Sequence, residues 1–403
     1  MACDARDDVV IAGRGNKPGE GIQMLTMKLA GVTGRILWSD FHGTTSGLDD
    51  VAWDVAVGPD GHPVVTGVSL DASGGAACVT RKLDAADGSL LWREVLTGGV
   101  ADLASPGGWL TILDGGDVAV CHKGYGAHSY DVLAARYGSA DGAPVWTTIY
   151  DGPAHGGDNP RHMIADAQGN LLVAGVQDAF WNYDFMVLKF SGTDGSIIWE
   201  APGYDGPPGW YDVANRLALG PGGVVIATGL SDGSGTGWDV ATVGYDPDTG
   251  DQLWVLRHDG PAGQSDEGRD LALDPFGDLY VTGYAYGSGT GKDHLTLRYQ
   301  LPLGSPALPP APPLKLTAPY PSPFNATTTM GVDLDVGQTV RLDVFDLQGA
   351  HVRTIHTGFL PAGFHALRWD GRDERSTEQS SGIYLFVLSH AEGKATRTGI
   401  LVK

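Results

Sequence analysis

The sequence predicts an all-β protein: a six-repeat β-propeller of four-stranded antiparallel blades followed by a small Ig-like β-sandwich. Three observations carry that expectation. The composition combines 61 Gly and 24 Pro with only 18% charged residues over 403 positions, which suits short strands and tight turns better than long helices. A strand that closes on glycine recurs at Gly13, Gly67, Gly175, Gly229 and Gly283, all separated by multiples of 54 residues. A second column, Trp38, Trp92, Trp146, Trp199 and Trp254, runs beside it at intervals of 54, 54, 53 and 55 residues.

Self-similarity at such a period marks a repeat architecture, in which each unit buries its apolar faces only against its neighbours. The one unoccupied register of the glycine column falls on Cys121 in "DVAVCHKG". Between the Gly and Trp marks lies an alternating strand such as "DFMVLKF", where Met186, Leu188 and Phe190 share one face at period 2. With the segment before the Asp-Gly-type turn ("LALD"), every unit holds four short strands, the content of a propeller blade. Residues 1–300 contain six copies of the first three strands but five of the Trp strand. The opening "MACDARDDVVIAG" superposes without a gap on "LALDPFGDLYVTG" at 271–283, which places Met1 inside a strand. A propeller closes its ring by pairing strands from both chain ends. The expectation is therefore a longer native chain, whose upstream part supplies the sixth Trp strand and a signal peptide.

After Tyr299 the pattern stops, and "QLPLGSPALPPAPPLK" predicts a stiff Pro-rich linker over 301–314. Residues 315–403 contain the alternating runs "TVRLDVFDL", "HALRW" and "GIYLFVL" between Gly, Pro and Asp turns, which predict the sandwich. "WDGRD" (369–373) and "SPFN" (322–325) suit turns, where Gly and Asn tolerate positive φ and Asp accepts local backbone hydrogen bonds.

Residues 1–300, through blocks such as "LALDPFGDLYVTGYAYGSGTGKDHLTLRY" and "YDPDTGDQLW", resemble the SBBP-type β-propeller repeat of bacterial extracellular proteins and, more distantly, quinoprotein-type repeats. The motifs "YPSPFNATTT", "VRLDVFDLQGAHVRTI", "LPAGFHALRWDGRD", "SGIYLFVL" and "TRTGILVK" resemble the type A C-terminal sorting domain of the type IX secretion system, and equally the related FlgD-like Ig domain of the flagellar hook cap. The first of these likenesses implies export across the outer membrane, with the secretion machinery or a cell-surface attachment apparatus as partner and an extracellular or outer-membrane-surface location.

Charge narrows the partners. With 48 acidic and 26 basic residues the net charge is −22, which repels nucleic acid and anionic membrane surfaces. No apolar run approaches 18 residues, so no membrane insertion is expected. Cys3, Cys78 and Cys121 have neither paired nor zinc-ligand spacing.

Two polar columns recur within the propeller. Eight positions after Phe41, Tyr150, Tyr204 and His258 stand Asp49, Asp158, Asp212 and Asp266, and a basic residue near the end of the third strand recurs as Lys28, Lys82, Arg136, Lys189 and Arg298, with Gly244 the exception. A carboxylate ring can bind a cation or a sugar. Residues repeated in nearly every blade more often serve the repeat itself, closing turns or pairing with the basic column. Function is sought instead where the repeats differ. The loop "YDGPAHGGDNPRH" gathers His155, Asp158, Arg161 and His162, a group suited to a metal or to acid–base work but without HExxH spacing or a helix to present it. Trp181, Tyr183, Trp210 and Tyr211 can stack on a glycan or peptide, or pack between blades. "GLSDG" (229–233) fits the GxSxG pattern without the strand-to-helix turn that pattern needs, and "GRGNKPG" lacks the helix of a dinucleotide site. "DPDTGD" (246–251) is too short for a calcium loop.

No catalytic constellation assembles from these residues and no cofactor is expected. The favoured expectation is a monomeric, secreted or cell-surface binding or scaffold module for a glycan or peptide. The alternative is an extracellular propeller enzyme that acts on polysaccharide or uses a quinone, with the His155 loop as its candidate centre.

Overall fold

The computed structural model describes residues 1–43, 50–70, 76–96, 108–125, 129–178, 182–207, 210–301, 315–334, 338–360, 363–390 and 393–403. Blade one comprises β1 (Ala2–Cys3), β2 (Val9–Lys17), β3 (Gly21–Leu29) and β4 (Ile36–His42), and blade two β5 (Val51–Val57), β6 (Pro63–Leu70), β7 (Ala76–Leu83) and β8 (Leu90–Leu96). Blade three holds β9 (Gly108–Ile112), β10 (Val118–Tyr125), β11 (Tyr130–Tyr137) and β12 (Pro144–Tyr150), and blade four β13 (Asp158–Ala165), β14 (Leu171–Asp178), β15 (Tyr183–Phe190) and β16 (Ile197–Glu200). Blade five holds β17 (Asp212–Leu219), β18 (Val225–Gly233), β19 (Gly237–Tyr245) and β20 (Gln252–His258). Blade six is the three-stranded sheet β21 (Glu267–Leu273), β22 (Asp278–Gly287) and β23 (Gly291–Gln300). Each sheet follows chain order, and the first strands β5, β9, β13 and β17 pack successively on one another.

The core lies between blades. Met24, Trp38, Val65 and Leu83 close the first junction, Val64, Trp92, Val118 and Tyr137 the second, Trp146, Met163, Met186 and Phe190 the third, and Phe185, Trp199, Ala227 and Tyr245 the fourth. Alternation on each strand thus feeds two junctions, one from each face.

The Trp and basic columns act as one staple. The indole N–H groups of Trp38, Trp92, Trp146 and Trp199 donate to Ala85 O, Ser139 O, Gly192 O and Pro247 O of the next blade, at 3.1, 3.3, 3.0 and 3.1 Å. Lys28, Lys82, Arg136 and Lys189 donate to those same carbonyls at 3.2, 2.7, 2.5 and 2.9 Å. Each cation is neutralised by an aspartate in the first turn of its own blade: Asp4, Asp60, Asp117 and Asp166. The turn that receives the indole carries Gly88, Gly142, Gly195 or Gly250, all at φ between 73 and 77°, where a Cβ would fall 2.5–2.7 Å from the preceding blade's Trp ring. Glycine is needed there twice over, for the dihedral and for the close approach. The exception in the basic column has its own cause, because a Cβ on Gly244 would lie 2.2 Å from Trp254, whose ring fills that space.

In blade one the matching turn glycine, Gly34, has no atom within 4 Å of a Cβ position. Among the described residues no fourth strand pairs with β23, and the sheet of blade six has three strands where the other five have four.

The chain divides into two compact units, one of Met1–Leu219, Gly223–Ala272 and Val281–Leu297, the other of Gly220–Gly222, Leu273–Tyr280 and Arg298–Lys403. Within the second, β24 (Lys315–Leu316), β25 (Thr328–Leu334) and β28 (Gly363–Trp369) form one sheet, and β26 (Gln338–Phe345), β27 (His351–Leu360), β29 (Gly382–His390) and β30 (Gly393–Leu401) the other. Fully buried Trp369 meets Phe324, Tyr384 and Phe386 edge-on at centroid distances of 5.7, 4.9 and 5.6 Å, and its indole N–H donates to Arg372 O at 2.9 Å. "WDGRD" is therefore a core anchor followed by a turn, with Gly371 at φ 70°. In "SPFN" the positive φ falls on the next residue, Ala326, rather than on Asn325. The 301–314 linker lies outside the described residues apart from Leu301.

Candidate functional site

The glycine column shapes a site as well as a turn. Pairing of β5 with β6 shifts register between Ala52 and Asp54, that of β13 with β14 between Pro160 and His162, and that of β17 with β18 between Ala214 and Arg216. Each shift is a β-bulge, and the extra residues are Trp53, Arg161 and Asn215. Opposite them sit Gly67, Gly175 and Gly229, where a Cβ would come 2.1, 2.1 and 1.8 Å from Val51 O, Asn159 O and Val213 O. A side chain on the second strand is thus incompatible with the bulge on the first. Gly283 is placed likewise, 1.8 Å from Glu267 O, so Arg269, 54 positions after Asn215, occupies the equivalent place in blade six. Cys121 is the exception that the column requires: β9 pairs with β10 in unbroken register, Cys121 facing Trp109, and a buried side chain fits there.

Bulges bend a strand and re-aim a side chain. Here they bring Trp53, Arg161, Asn215 and Arg269 to one cavity of about 400 Å³ on the first strands of blades two to six, with Gly108, Trp109 and Arg216 completing its wall. That volume lies in the small-molecule range. The wall is fixed by blade-to-blade bonds. Asp54 accepts the Leu110 N–H at 3.1 Å, His162 Nδ1 accepts the Leu217 N–H at 3.1 Å, and the Asn215 amide donates to Glu267 Oε1 and Gly268 O, both at 2.9 Å.

The electrostatics are unusual for so acidic a chain. Arg269 pairs with buried Glu267 at 2.9 Å, while Arg216 reaches exposed Asp270 only at 3.7 Å. Arg161 makes no ion pair among the described residues, and its Nε, like the Nε1 of Trp53, is buried without an acceptor. A buried N–H left without an acceptor costs about 1–3 kcal/mol. Burial, reinforced by Arg216, pulls the His162 pKa down to about 3, so its ring is neutral and serves as the acceptor for Leu217.

The other sequence-selected residues fall into separate groups. In the loop between β12 and β13, His155 adopts φ 52° and its Nδ1 lies 2.8 Å from Asp151 Oδ2. Asp158 is buried at the start of β13 and accepts the Gly152 N–H at 2.6 Å. Asp131, Asp151 and Asp158 bring carboxylate oxygens within 4.8 Å of one another, as do Asp184, Asp205 and Asp212 one blade on. Burial, together with Asp131, Asp151 and Glu200, raises the Asp158 pKa to about 7, and burial with Asp205 and Asp212 raises that of Asp184 to about 6. Each set offers three of the six to eight oxygens that calcium takes. On the following blade Asp266 has both oxygens bound, by the Gly260 and Tyr286 N–H groups, and Arg257 neutralises Asp239 at 2.8 Å.

The first member of this aspartate column is Asp50, fully buried beside Gly43, since Asp158 lies 108 positions on; Asp49 lies outside the described residues. Tyr183 and Tyr211 meet edge-on at 5.2 Å, and Tyr211 stacks on Trp238 at 5.6 Å against Val176, Val213 and Leu230. Trp210 is 68% exposed, and Trp181 lies outside the described residues. The structure therefore pairs His155 with Asp151, the carboxylate neighbour of Asp158, sends Arg161 to the cavity, places partly buried His162 behind it, and pairs Tyr183 with Tyr211. Trp53, Trp109, Asn215, Arg216, Arg269 and Trp238 are additions to the residues that the sequence singles out.

Repeated four-stranded sheets around bulge-built first strands, followed by an Ig-like sandwich, define the class: a propeller of PQQ-type repeats with a C-terminal Ig-like domain. The family described as "Outer membrane protein assembly factor BamB" matches residues 75–291, more than half of the chain, and the chain belongs to that family. The FlgD Ig-like domain family matches residues 322–394. Comparison with curated proteins gives no match. Among solved structures the chain is similar to PorZ of Porphyromonas gingivalis, an essential bacterial surface component of its type-IX secretion system, at 14% identity and TM-score 0.40, covering 100% of this chain and 51% of that one. It thus spans about half the length of PorZ. A protein from Lactobacillus plantarum is similar at 14% identity and TM-score 0.43, covering 90% and 99% of the two chains. Quinohemoprotein alcohol dehydrogenase ADHIIG from Pseudomonas putida HK5 is similar at 12% identity and TM-score 0.42, covering 76% and 62%.

Proposed function

We propose that this protein is a secreted or cell-surface binding module whose ligand sits in the propeller's axial cavity. One observation carries the proposal: three bulges, each made possible by a glycine opposite, aim Trp53, Arg161 and Asn215 at a single cavity. Bulges bend a strand and re-aim its side chains, and these three open on the same wall. The division of labour follows the chain, with residues 1–300 as the binding propeller, 301–314 as a spacer and 315–403 as the export domain. The match to a FlgD Ig-like domain supports the last assignment, and the likeness of "LPAGFHALRWDGRD" and "TRTGILVK" to type A sorting domains supports the type IX secretion machinery or a surface-attachment apparatus as its partner.

The test is a glycan and peptide array probed with the full chain and with Trp53→Ala. Capture by the parent that is lost in the folded variant is the expected result. A parent that captures nothing, or a variant that captures equally, overturns the assignment of the cavity.

A further inference from the structure

Resting on that assignment, we infer that the cavity takes a single acidic sugar at the end of an otherwise neutral glycan. The cavity combines two kinds of wall. Trp53 and Trp109 offer aromatic surface, on which a pyranose ring stacks by its C–H face. Arg161, Arg216 and Arg269 offer guanidinium groups, the donors best matched to a planar carboxylate. Of these, Arg161 carries the charge that no described residue neutralises, and its buried Nε and the buried Nε1 of Trp53 are two donors with no acceptor. A sugar carboxylate at the Arg161 guanidinium supplies the missing countercharge, with the sugar ring against Trp53.

The surroundings limit the ligand's charge. The chain's net charge is −22, and charges beyond a Debye length of about 8 Å at physiological salt are screened. The local arginine field therefore reaches one ligand carboxylate, while further carboxylates outside the cavity would meet an acidic exterior. The volume of about 400 Å³ likewise suits one or two sugar residues. The end of a neutral chain capped by a uronic acid fits both limits, whereas a polyuronide would carry further carboxylates against the acidic exterior.

Calorimetric titration of the full chain tests this with three probes: xylobiose bearing one uronic acid, xylotriose, and a tripeptide with a free C-terminal carboxylate. The uronic probe is expected to bind at least tenfold tighter than xylotriose and the tripeptide. Arg161→Gln is expected to erase that preference, Arg161→Lys to restore it only in part, and Trp53→Phe to weaken the uronic probe selectively by severalfold, each with unchanged far-ultraviolet circular dichroism and a cooperative unfolding transition. Equal binding of xylotriose overturns the acidic specificity while leaving the cavity a glycan site. Preference for the tripeptide overturns the carbohydrate class. Uronic binding that is indifferent to Arg161→Gln overturns the placement, and failure of all three probes with array capture intact overturns the ligand class alone.

Discussion

Gly175→Ala asks directly whether the glycine column exists for the bulges. The new Cβ would stand 2.1 Å from Asn159 O and 2.9 Å from the Asn159 carbonyl carbon and Pro160 Cα. Ordinary contact needs roughly 3.4 Å or more, so β13 must retreat by over an ångström or lose its bulge. Overpacking of a tight site costs about 1–3 kcal/mol. Here the obstacle is backbone on both sides, which cannot rotate away, so about 3 kcal/mol is expected, less the ~0.5 kcal/mol that Ala gains over Gly in the unfolded chain. Cys121→Ala is the control. Its strand pairs with β9 in regular register, a Cβ is already accommodated, and only a sulfur is lost, at a cost of about 1 kcal/mol or less. Denaturant midpoints from tryptophan fluorescence, measured on both variants in one buffer, should fall well below the parent for Gly175→Ala and close to it for Cys121→Ala. A Gly175→Ala midpoint equal to the parent's, or a larger loss for Cys121→Ala, would refute the link between column and bulge.

Three further outcomes follow from the geometry. Trp146→Phe removes the indole bond to Gly192 O (3.0 Å) and part of the packing over Gly195, so the midpoint should fall by the equivalent of about 1–2 kcal/mol; no change would mean that Arg136 alone holds that carbonyl. Asp158 titrates near 7 in the folded chain against 3.8 ordinarily, so the folded form keeps a proton that the unfolded chain releases, and stability falls as pH rises through that window. Asp158→Asn, which keeps an oxygen for the Gly152 N–H, should therefore stabilise at pH 8, by on the order of 2 kcal/mol after allowance for solvent screening, and hardly at all at pH 4, whereas equal shifts at both pH values would contradict the charge origin. Trp369→Ala empties the centre of the sandwich at a cost of about 3–5 kcal/mol, and limited proteolysis of the full chain should then degrade residues 315–403 first; resistance equal to the parent's would show that the three ring contacts are dispensable.

Much of the fold is legible in the sequence because the repeat enforces it. The Gly and Trp columns mark positions where close approach restricts the residue type, and even their gaps are informative: Cys121 marks the blade whose first strand pairs without a bulge, and Gly244 the blade where Trp254 lies over its own third strand. The cavity is not legible in the same way. Its residues share a register, 53, 161, 215 and 269, yet they are Trp, Arg, Asn and Arg, so a search for repeated identities passes over them. Arg161 stands out only through its sequence neighbours His155 and His162, and the strand separates them: His155 belongs to the preceding loop and His162 to the wall behind. The usable signal is the residue 14 positions before each column glycine, since Gly67, Gly175, Gly229 and Gly283 point back to Trp53, Arg161, Asn215 and Arg269. The aspartate column shows the opposite limit. Counting eight positions from Phe41 reaches Asp49 rather than Asp50, because the residue in register with Tyr150, four positions after the column Trp, is His42.

The most direct measurement of the central claim is a crystal structure of the full chain grown with the uronic acid-capped xylobiose. Ligand density is expected in the axial cavity, with a carboxylate within hydrogen-bond distance of the Arg161 guanidinium and a sugar ring beside Trp53. Density over the Tyr211–Trp238 stack or the His155 loop, with the cavity holding only solvent, would contradict it.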